Sequence, residues 1–353
     1  MNLRQKTIFR YVRDVQCDTL LVTEPENLFY LTGFWGEAIG VLTKDNVRIF
    51  APSLEVERAK LESKDCEIIA APRGTAITSS LKSIKSKKIC TDAKDITYFS
   101  AMKKIFPKLK QSFISLQRAR LLKDTQEINL LKKASKIIDE MFQLCVDSIT
   151  VDQNESQLQT ILMSYAMDKG LFDTGYRWTT NPLIISGGPN GALPHAQVTN
   201  RKFRDGDLIV VDLTLRYRGY VSDATRTFHI GEMSPDAAKA YDAVHHSQQL
   251  GLDATTANAT CKHVDLACRN HIDKQGFGKY FIHSTGHGIG LDVHESPAIS
   301  LNSKEVLKSN MAITIEPGIY IPKKFGIRIE DSVIVTKGKP ILLHKFTKEP
   351  IRI

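Results

Sequence analysis

The sequence predicts a protein of two domains, a smaller α/β domain followed by a larger α+β domain. Its 353 residues exceed the roughly 100–200 residues that one domain usually holds. Short apolar runs alternate with polar helical stretches up to about residue 120, whereas long helices and then paired strand-like runs follow. We therefore expect domains over 1–120 and 121–353, with the boundary within 118–123.

The first domain is predicted to contain four strands and a helix between the third and fourth. The strands cover 18–23, 39–43, 47–51 and 66–71, and the helix covers 52–63 with Pro52 in its first turn. This strand–helix–strand order is typical of a small layered α/β structure.

The second domain begins with a helix signal at Asp124. Asp124 and Glu127 have the spacing of a capping box, and apolar residues follow at helical spacing. We expect helices over about 126–148 and 154–169, then a strand-rich stretch from 183 to 230. Two more helices should follow, the first beginning at Ser234-Pro235 and the second ending at Gly276. The rest of the chain should be rich in strands.

Composition excludes several classes of protein. The chain is 42% hydrophobic and 25% charged, as soluble globular proteins are, and no apolar run reaches the roughly 18 residues that span a bilayer. The first residues lack the apolar core of a secretory signal, so we expect a cytoplasmic protein. Six scattered cysteines without a CxxC pair indicate reduced thiols, not disulfides or a thiolate metal site.

The net charge of +9 is concentrated in the first domain. Residues 1–120 contain 21 Lys and Arg against 13 Asp and Glu, largely because of lysine runs within 82–88 and 103–110. Such runs can bind nucleic acid, but these lack arginine. A solvated lysine surface is the simpler interpretation, and no nucleic-acid or membrane partner is expected.

Two aspartates form the first candidate site. Asp212 follows the apolar run 208–211, and Asp223 ends a second strand-like run, so the two runs suggest a hairpin. With a turn at Tyr217-Arg218, Asp212 would face Asp223 with about 5 Å between their β-carbons. A divalent metal would relieve the repulsion between the two carboxylates.

The second candidate site consists of three histidines that lie within twelve residues. His283, His287 and His294 are interspersed with glycines, which allow a backbone path that brings imidazoles together. The same glycines suggest a phosphate-binding loop, but the P-loop and GxGxxG spacings are absent.

Two glutamates in apolar, strand-like surroundings complete the set. Glu316 and Glu330 each need a partner if buried, and Arg328 would share a strand face with Glu330. Four carboxylates with one histidine carry a charge that two divalent cations would neutralise, and oxygen-rich ligands suit Mn²⁺, Co²⁺, Fe²⁺ or Zn²⁺. Two such ions would activate a water molecule and polarise a carbonyl or phosphoryl oxygen.

Five of these residues, in their order along the chain, resemble the five metal ligands of the pita-bread (creatinase/aminopeptidase-fold) metallopeptidases. They are Asp212, Asp223, His287, Glu316 and Glu330. The segment from His283 to Glu295 resembles the signature of the proline-peptidase branch, which comprises Xaa-Pro dipeptidase (prolidase) and Xaa-Pro aminopeptidase. The resemblance covers essentially the whole chain, including FYLTGF at 29–34. It implies a pita-bread catalytic domain after a creatinase-like α/β domain, and an Xaa-Pro peptide as substrate.

The resemblance also implies roles for single residues. Asp212 would bind one metal, His287 and Glu316 the other, and Asp223 and Glu330 both; Glu316 would also transfer the proton of the attacking water. His195 and His294 would act on the substrate with Arg328, and His283 would line its pocket. Two divalent ions per chain are implied, with Mn²⁺ favoured over Co²⁺, Zn²⁺ or Fe²⁺. A homodimer is implied, in which the amino-terminal domain helps to close the partner's cleft.

Two departures from the family pattern concern the substrate. Leu-Thr-Leu-Arg after Asp212 is bulkier than expected, and the segment 172–183, with Tyr176, Arg177 and Trp178, is longer and more polar. A dipeptidase is favoured over an aminopeptidase because no third domain is present. A metal-using hydrolase or lyase with a non-peptide substrate and a non-catalytic binding protein remain as alternatives. A methionine aminopeptidase would not need the first 120 residues.

Overall fold

A six-stranded mixed sheet organises the first part of the chain in the computed structural model, which describes residues 1–353. The sheet has the order β4-β3-β2-β1-β5-β6, in which β2 is antiparallel to both β1 and β3 and the remaining pairs are parallel. Contacts divide the chain into two compact units, Met1–Arg120 and Leu121–Ile353.

The elements of the first unit alternate as an α/β layer requires. They are α1 (Leu3–Asp14), β1 (Thr19–Val22), α2 (Pro25–Thr32), β2 (Ile39–Leu42), β3 (Val47–Pro52), α3 (Val56–Glu62), β4 (Glu67–Ala71), a 3₁₀ helix (Gly74–Ser83), β5 (Ile89–Thr91), α4 (Ile96–Ile105), β6 (Lys110–Gln111) and α5 (Ile114–Leu121). Buried apolar side chains of the sheet and its helices form the core of this unit.

All four strands expected in this unit are present, but the helix between the last two begins later than predicted. Pro52 is the last residue of β3, where it pairs with Ala71 of β4, and α3 begins only at Val56. The parallel pairing extends the strand through the proline, which overrides its preference for a first helical turn. Helices α1 and α2 were not predicted, although Asn2 and Gln5 form a capping box at the start of α1.

The second unit surrounds its strands with four long helices. Its elements are α6 (Thr125–Ser148), α7 (Glu155–Asp168), β7 (Leu171–Asp173), β8 (Ile184–Gly187), β9 (Leu208–Tyr217), β10 (Tyr220–His229), α8 (Pro235–Ala254), α9 (Cys261–Lys274), β11 (Gly286–Gly288), β12 (Glu295–Ile299), β13 (Ala312–Ile315), β14 (Gly318–Ile321), β15 (Phe325–Arg328), β16 (Asp331–Ile334), β17 (Ile341–Leu342) and β18 (Ile351–Arg352), with 3₁₀ helices at Gly188–Ala192 and Gly278–Tyr280. The predicted caps at Asp124 and Ser234 begin α6 and α8, and Gly276 has a positive φ after α9.

Three sheets hold the strands of this unit. One has the order β18-β10-β9-β7 with β8 also paired to β9, the second has the order β12-β11-β13-β16-β17, and β14 and β15 form a separate hairpin. Two clusters of buried apolar residues pack helices against these sheets. No helix of the structure has both the length and the apolar character to cross a membrane. All six cysteines are free thiols.

The β9–β10 hairpin exists, but its turn lies one residue later than predicted, which shifts the cross-strand partner of each residue by two. The turn is Arg218-Gly219, both with positive φ, so Asp212 pairs with Thr225 and Asp223 with Thr214. Positive φ at both central positions is the mark of a type I′ turn, which suits the strand twist, and Gly219 supplies the second position at little strain. Because the shift is even, both aspartates stay on one face of the hairpin.

Two further expectations about local structure need correction. The middle residue of the histidine segment, His287, lies on the short strand β11 instead of a loop, with its neighbours paired to β12 and β13. Arg328 ends β15, whereas Glu330 lies outside the strands just before β16, so the two do not share one strand. Their side chains still meet, because both contact the Thr225 hydroxyl.

Candidate metal centre

The hairpin of β9 and β10 supplies two carboxylates joined by a hydroxyl group. Thr214 Oγ1 lies 2.7 Å from Asp223 Oδ1 and 3.2 Å from Asp212 Oδ1. Both aspartates are buried, Asp212 directly after the apolar run 208–211 and Asp223 within a strand that is buried along its whole length. The structure therefore brings the two predicted ligands onto one face as diagonal neighbours, with Thr214 between them.

Strand β11 and the residues after β13 and β15 bring the other three predicted ligands to the same place. His287 Nε2 is 3.3 Å from Glu316 Oε1 and 3.8 Å from Asp223 Oδ2. The side chains of Asp223, His287 and Glu330 each offer a ligand atom, and these atoms lie within 4.8 Å of one another. His287 Nδ1 donates to the Gly288 carbonyl, which leaves Nε2 directed at the carboxylates.

The pKa values in the cluster move apart because negative charges are crowded where water is absent. Burial, together with the carboxylates of Asp212 and Glu316, raises the pKa of Asp223 well above its usual range. Burial and the neighbouring carboxylates, Asp223 foremost, likewise raise the pKa of Glu330. Burial alone would also raise the pKa of Glu316, but the hydrogen bond and charge of His287 lower it to about 2.

One polar atom in the cluster lacks any partner in the protein. Glu330 Oε2 accepts from Thr225, but Glu330 Oε1 is buried and makes no hydrogen bond. A buried carboxylate oxygen without a partner is costly unless a cation or proton meets it. Four facing carboxylates, an imidazole whose Nε2 is directed at them and the absence of a thiolate in this cluster therefore fit divalent ions that prefer oxygen and nitrogen ligands.

Arg328 connects the predicted metal ligands to the histidines predicted to meet the substrate. Its guanidinium donates to Asp212 Oδ2 at 2.6 Å, to the Tyr320 hydroxyl at 2.7 Å and to the Pro194 carbonyl at 3.3 Å. The Tyr320 hydroxyl is in turn 3.0 Å from His283 Nε2. Since Arg328 is buried and permanently charged, it fixes one aspartate, one histidine and the backbone next to His195.

The loop that carries His195 is anchored by Glu155 of α7. The buried carboxylate of Glu155 accepts from Gly187 N, Asn190 Nδ2 and Thr199 N, which fixes both ends of the loop. Gly326 of β15 lies so close to the Gly191 carbonyl that a β-carbon there would clash with it. His195 itself is exposed, as a group that meets a substrate must be.

His294 packs on the predicted ligand His287. Their ring centroids are 4.2 Å apart, and Tyr176 also packs on His294, with centroids 5.2 Å apart. Burial, and then the charge of His287, lowers the pKa of His294 to about 4, so its imidazole is neutral at pH 7. Burial also lowers the pKa of His283.

Glu295 holds the backbone just before His294. It accepts from Leu291 N and Asp292 N, and its second oxygen lies 2.9 Å from the Lys123 ammonium in a buried ion pair. The path of this loop is therefore set by a lysine 172 residues earlier in the chain.

Sequence reasoning missed several residues that organise the site. Thr214 and Thr225 hydrogen-bond the carboxylates, and Tyr320 links Arg328 to His283. The sequence did contain a signal for Thr214, since it lies two residues after Asp212 and therefore on the same face of the strand. Nothing local marks Glu155 or Lys123, because their partners are distant in sequence.

Comparison with known proteins identifies the family. Residues 129–337 match the model of metallopeptidase family M24, and residues 4–121 match that of the creatinase/prolidase N-terminal domain. The chain belongs to metallopeptidase family M24. It is an enzyme with a pita-bread catalytic domain after a creatinase-type α/β domain, as the sequence predicted.

Individual relatives match over their full length. The chain is 31% identical to the Xaa-Pro dipeptidase of Pyrococcus furiosus over 363 aligned positions, which cover 99% of both chains. The crystal structure of the prolidase from Pyrococcus horikoshii superposes with a TM-score of 0.91 at 30% identity, covering 99% of this chain and 100% of that one. The X-Pro aminopeptidase from Thermotoga maritima has a TM-score of 0.87 at 28% identity, covering 98% and 100%.

Proposed function

We propose that this metallopeptidase is an Xaa-Pro dipeptidase that uses two divalent ions per chain. The observation that carries the proposal is the buried cluster of four carboxylates and His287, in which Glu330 Oε1 has no partner within the protein. Full-length similarity to an Xaa-Pro dipeptidase and to prolidase structures supports the choice of substrate.

The five ligands are Asp212, Asp223, His287, Glu316 and Glu330, with Asp223 and Glu330 shared between the two ions. The facing carboxylates support this sharing, because their pKa values are raised and each needs positive charge nearby. When bound, the ions polarise the scissile carbonyl and make the attacking water more acidic. Mn²⁺ is the ion we expect, with Co²⁺, Zn²⁺ or Fe²⁺ as alternatives.

Proton transfer falls to Glu316. Its carboxylate is ionised at neutral pH and lies at the centre of the cluster, 3.3 Å from His287. It takes the proton from the attacking water and delivers it to the departing proline nitrogen, which needs one to leave as an amine. An Xaa-Pro bond has no N–H to hold, so the substrate is oriented through its carbonyl and its ends.

The remaining residues act on the substrate and its tetrahedral intermediate. His195 and His294 donate to the developing negative oxygen, and His283 lines the pocket. Arg328 positions these groups through Asp212, Tyr320 and Pro194. The catalytic work therefore belongs to the second unit, 121–353.

The experiment is hydrolysis of a matched peptide set with added Mn²⁺ or Co²⁺ and with chelator. The set contains an Xaa-Pro dipeptide, an Xaa-Pro-Yaa tripeptide and an Xaa-Ala dipeptide as control. We expect metal-dependent cleavage of the Xaa-Pro dipeptide alone. Preference for the tripeptide would favour an Xaa-Pro aminopeptidase, the second candidate, which the similarity to the Thermotoga enzyme supports. No cleavage by protein loaded with two metals would refute both.

We further propose that the enzyme is a cytoplasmic homodimer in which the amino-terminal domain of one chain helps to close the cleft of the other. The proposal rests on the family resemblance. Sedimentation velocity tests the dimer, and a fully active monomer would contradict it.

A further inference from the structure

The segment 174–181, here called the cleft segment, spans the two histidines that we assign to the substrate. At one end Tyr176 packs on His294 with ring centroids 5.2 Å apart. At the other end Thr179 and Thr180 contact the side chain of Gln197, two residues after His195. The segment thus lies along the cleft between the His294 and His195 loops.

Arg216 ties the cleft segment to the histidine segment. It lies on β9 opposite Phe172, and its guanidinium donates to Thr174 O at 3.3 Å and to Leu291 O at 2.6 Å. A third bond, to Gly219 O at 2.7 Å, fixes the guanidinium to the hairpin turn. One half-buried side chain therefore holds the backbone before Tyr176 and the backbone before His294 at a set separation.

The two departures from the family pattern, which are distant in sequence, meet at this point. Arg216 is the last residue of the unusual Leu-Thr-Leu-Arg stretch, and Thr174 belongs to the unusual 172–183 segment. The direct hydrogen bond between Arg216 and Thr174 indicates that the two stretches act together to position the cleft segment.

Tyr176 is linked to the candidate metal centre through the ring of His294. The rings of His287, His294 and Tyr176 follow one another at 4.2 and 5.2 Å, so Tyr176 lies one ring beyond the residue next to the ligand. The wall is formed by the His294 imidazole and the half-buried Tyr176 phenol, and such an aromatic surface favours apolar side chains.

We propose that Tyr176 is a specificity-determining residue that contacts the Xaa side chain and favours bulky apolar residues there. Arg216 is its positioning residue, acting through the backbone of Thr174 and Leu291. The inference rests on the proposed peptidase function, which it deepens by naming the preferred class of Xaa.

The test measures kcat and KM on dipeptides in which Xaa is Gly, Leu, Phe or Glu, each followed by Pro or by Ala. We expect wild type to prefer Leu and Phe. Tyr176→Ala should lower kcat/KM for those two by about tenfold, through KM, and leave Gly within twofold. Tyr176→Phe should retain the preference. Tyr165→Ala, which removes a half-buried tyrosine of α7 outside the cleft segment, is the matched control and should leave the Xaa preference unchanged.

Arg216→Met should reproduce the selective loss, with Arg218→Met of the same hairpin as control. The double variant Tyr176→Ala/Arg216→Met should be no worse than Tyr176→Ala, because both changes remove one contact. Metal content and melting temperature, measured on each variant, show whether a loss reflects misfolding.

Separate comparisons test the two proposals. An equal loss on all Xaa residues, or a wild-type preference for Glu, overturns the role of Tyr176 and leaves the peptidase function standing. Cleavage of Xaa-Ala instead of Xaa-Pro overturns the proline preference, while the Xaa series still tests Tyr176. Absence of any cleavage overturns both.

Discussion

At the scale of single residues, Thr214 is not a proposed ligand but contacts two of the proposed ligands. Its one hydroxyl reaches both Asp212 and Asp223, at 3.2 and 2.7 Å. Its proton can go to only one of them, and the shorter distance favours Asp223. Groups that orient ligating carboxylates contribute to metal affinity although they never touch the ion.

Replacing Thr214 tests this role. Thr214→Val keeps the shape of the side chain and removes the hydroxyl, so metal affinity should fall about 10–100-fold. Thr214→Ser, which keeps the hydroxyl, should stay near wild type. Isothermal titration calorimetry with Mn²⁺ measures both. Equal affinity in Thr214→Val would mean that the hydroxyl does not orient the carboxylates.

Ligand and substrate residues should respond differently to substitution. Asp223→Asn or Glu330→Gln should remove metal and activity together, since each is proposed to bind both ions. His195→Ala should keep two metals per chain and lower turnover by about 10²–10³-fold, as loss of an oxyanion donor does. Metal analysis and steady-state kinetics distinguish the two classes. Identical behaviour would refute our division into ligands and substrate groups.

At the scale of elements, buried charge pairs hold the loops that carry the histidines. Lys123 precedes α6, and its pair with Glu295 of β12 is almost completely buried. Glu295 also accepts two backbone N–H groups of the loop that leads to His294. Removing the lysine would leave a carboxylate buried without its cation, which is far less favourable than never having the pair.

Lys123→Met should therefore destabilise the second unit by about 3–5 kcal/mol. The midpoint of urea unfolding measures the change, with Lys132→Met on the exposed face of α6 as control. The double variant Lys123→Met/Glu295→Met should recover part of the loss. A neutral Lys123→Met would show that the carboxylate finds another cation.

At the scale of the whole molecule, metal binding and folding are linked. Ligands that bind only the folded state stabilise it by about 2.7 kcal/mol when present at 100 times their Kd. The linkage should be strong here, because the ions would neutralise carboxylates whose burial raises their pKa values.

A chelator should lower the melting temperature, and excess Mn²⁺ should restore it. Scanning calorimetry measures both, and Glu330→Gln provides the control, since its melting temperature should no longer respond to metal. Identical melting of the wild-type protein with and without chelator would contradict a folded-state metal centre in 121–353.

The sequence by itself determined the family, the fold class and the identity of the residues that form the buried cluster. These depend on local features, such as the capping box at Asp124 and carboxylates set among apolar residues at Asp212 and Glu316. A polar residue in an apolar strand is visible without knowledge of the fold, because burial of its charge requires a partner.

The tertiary structure alone decided which partners these residues have. The hairpin register follows from a turn at Arg218-Gly219, both with positive φ. In the structure Tyr217 has no positive φ, so the turn predicted at Tyr217-Arg218 does not form. Lys123 meets Glu295 172 residues away, and Arg216 meets Leu291 75 residues away. Such contacts follow from the packing of separate elements. Periodicity in a sequence predicts single helices and strands but not which residues of different elements come into contact.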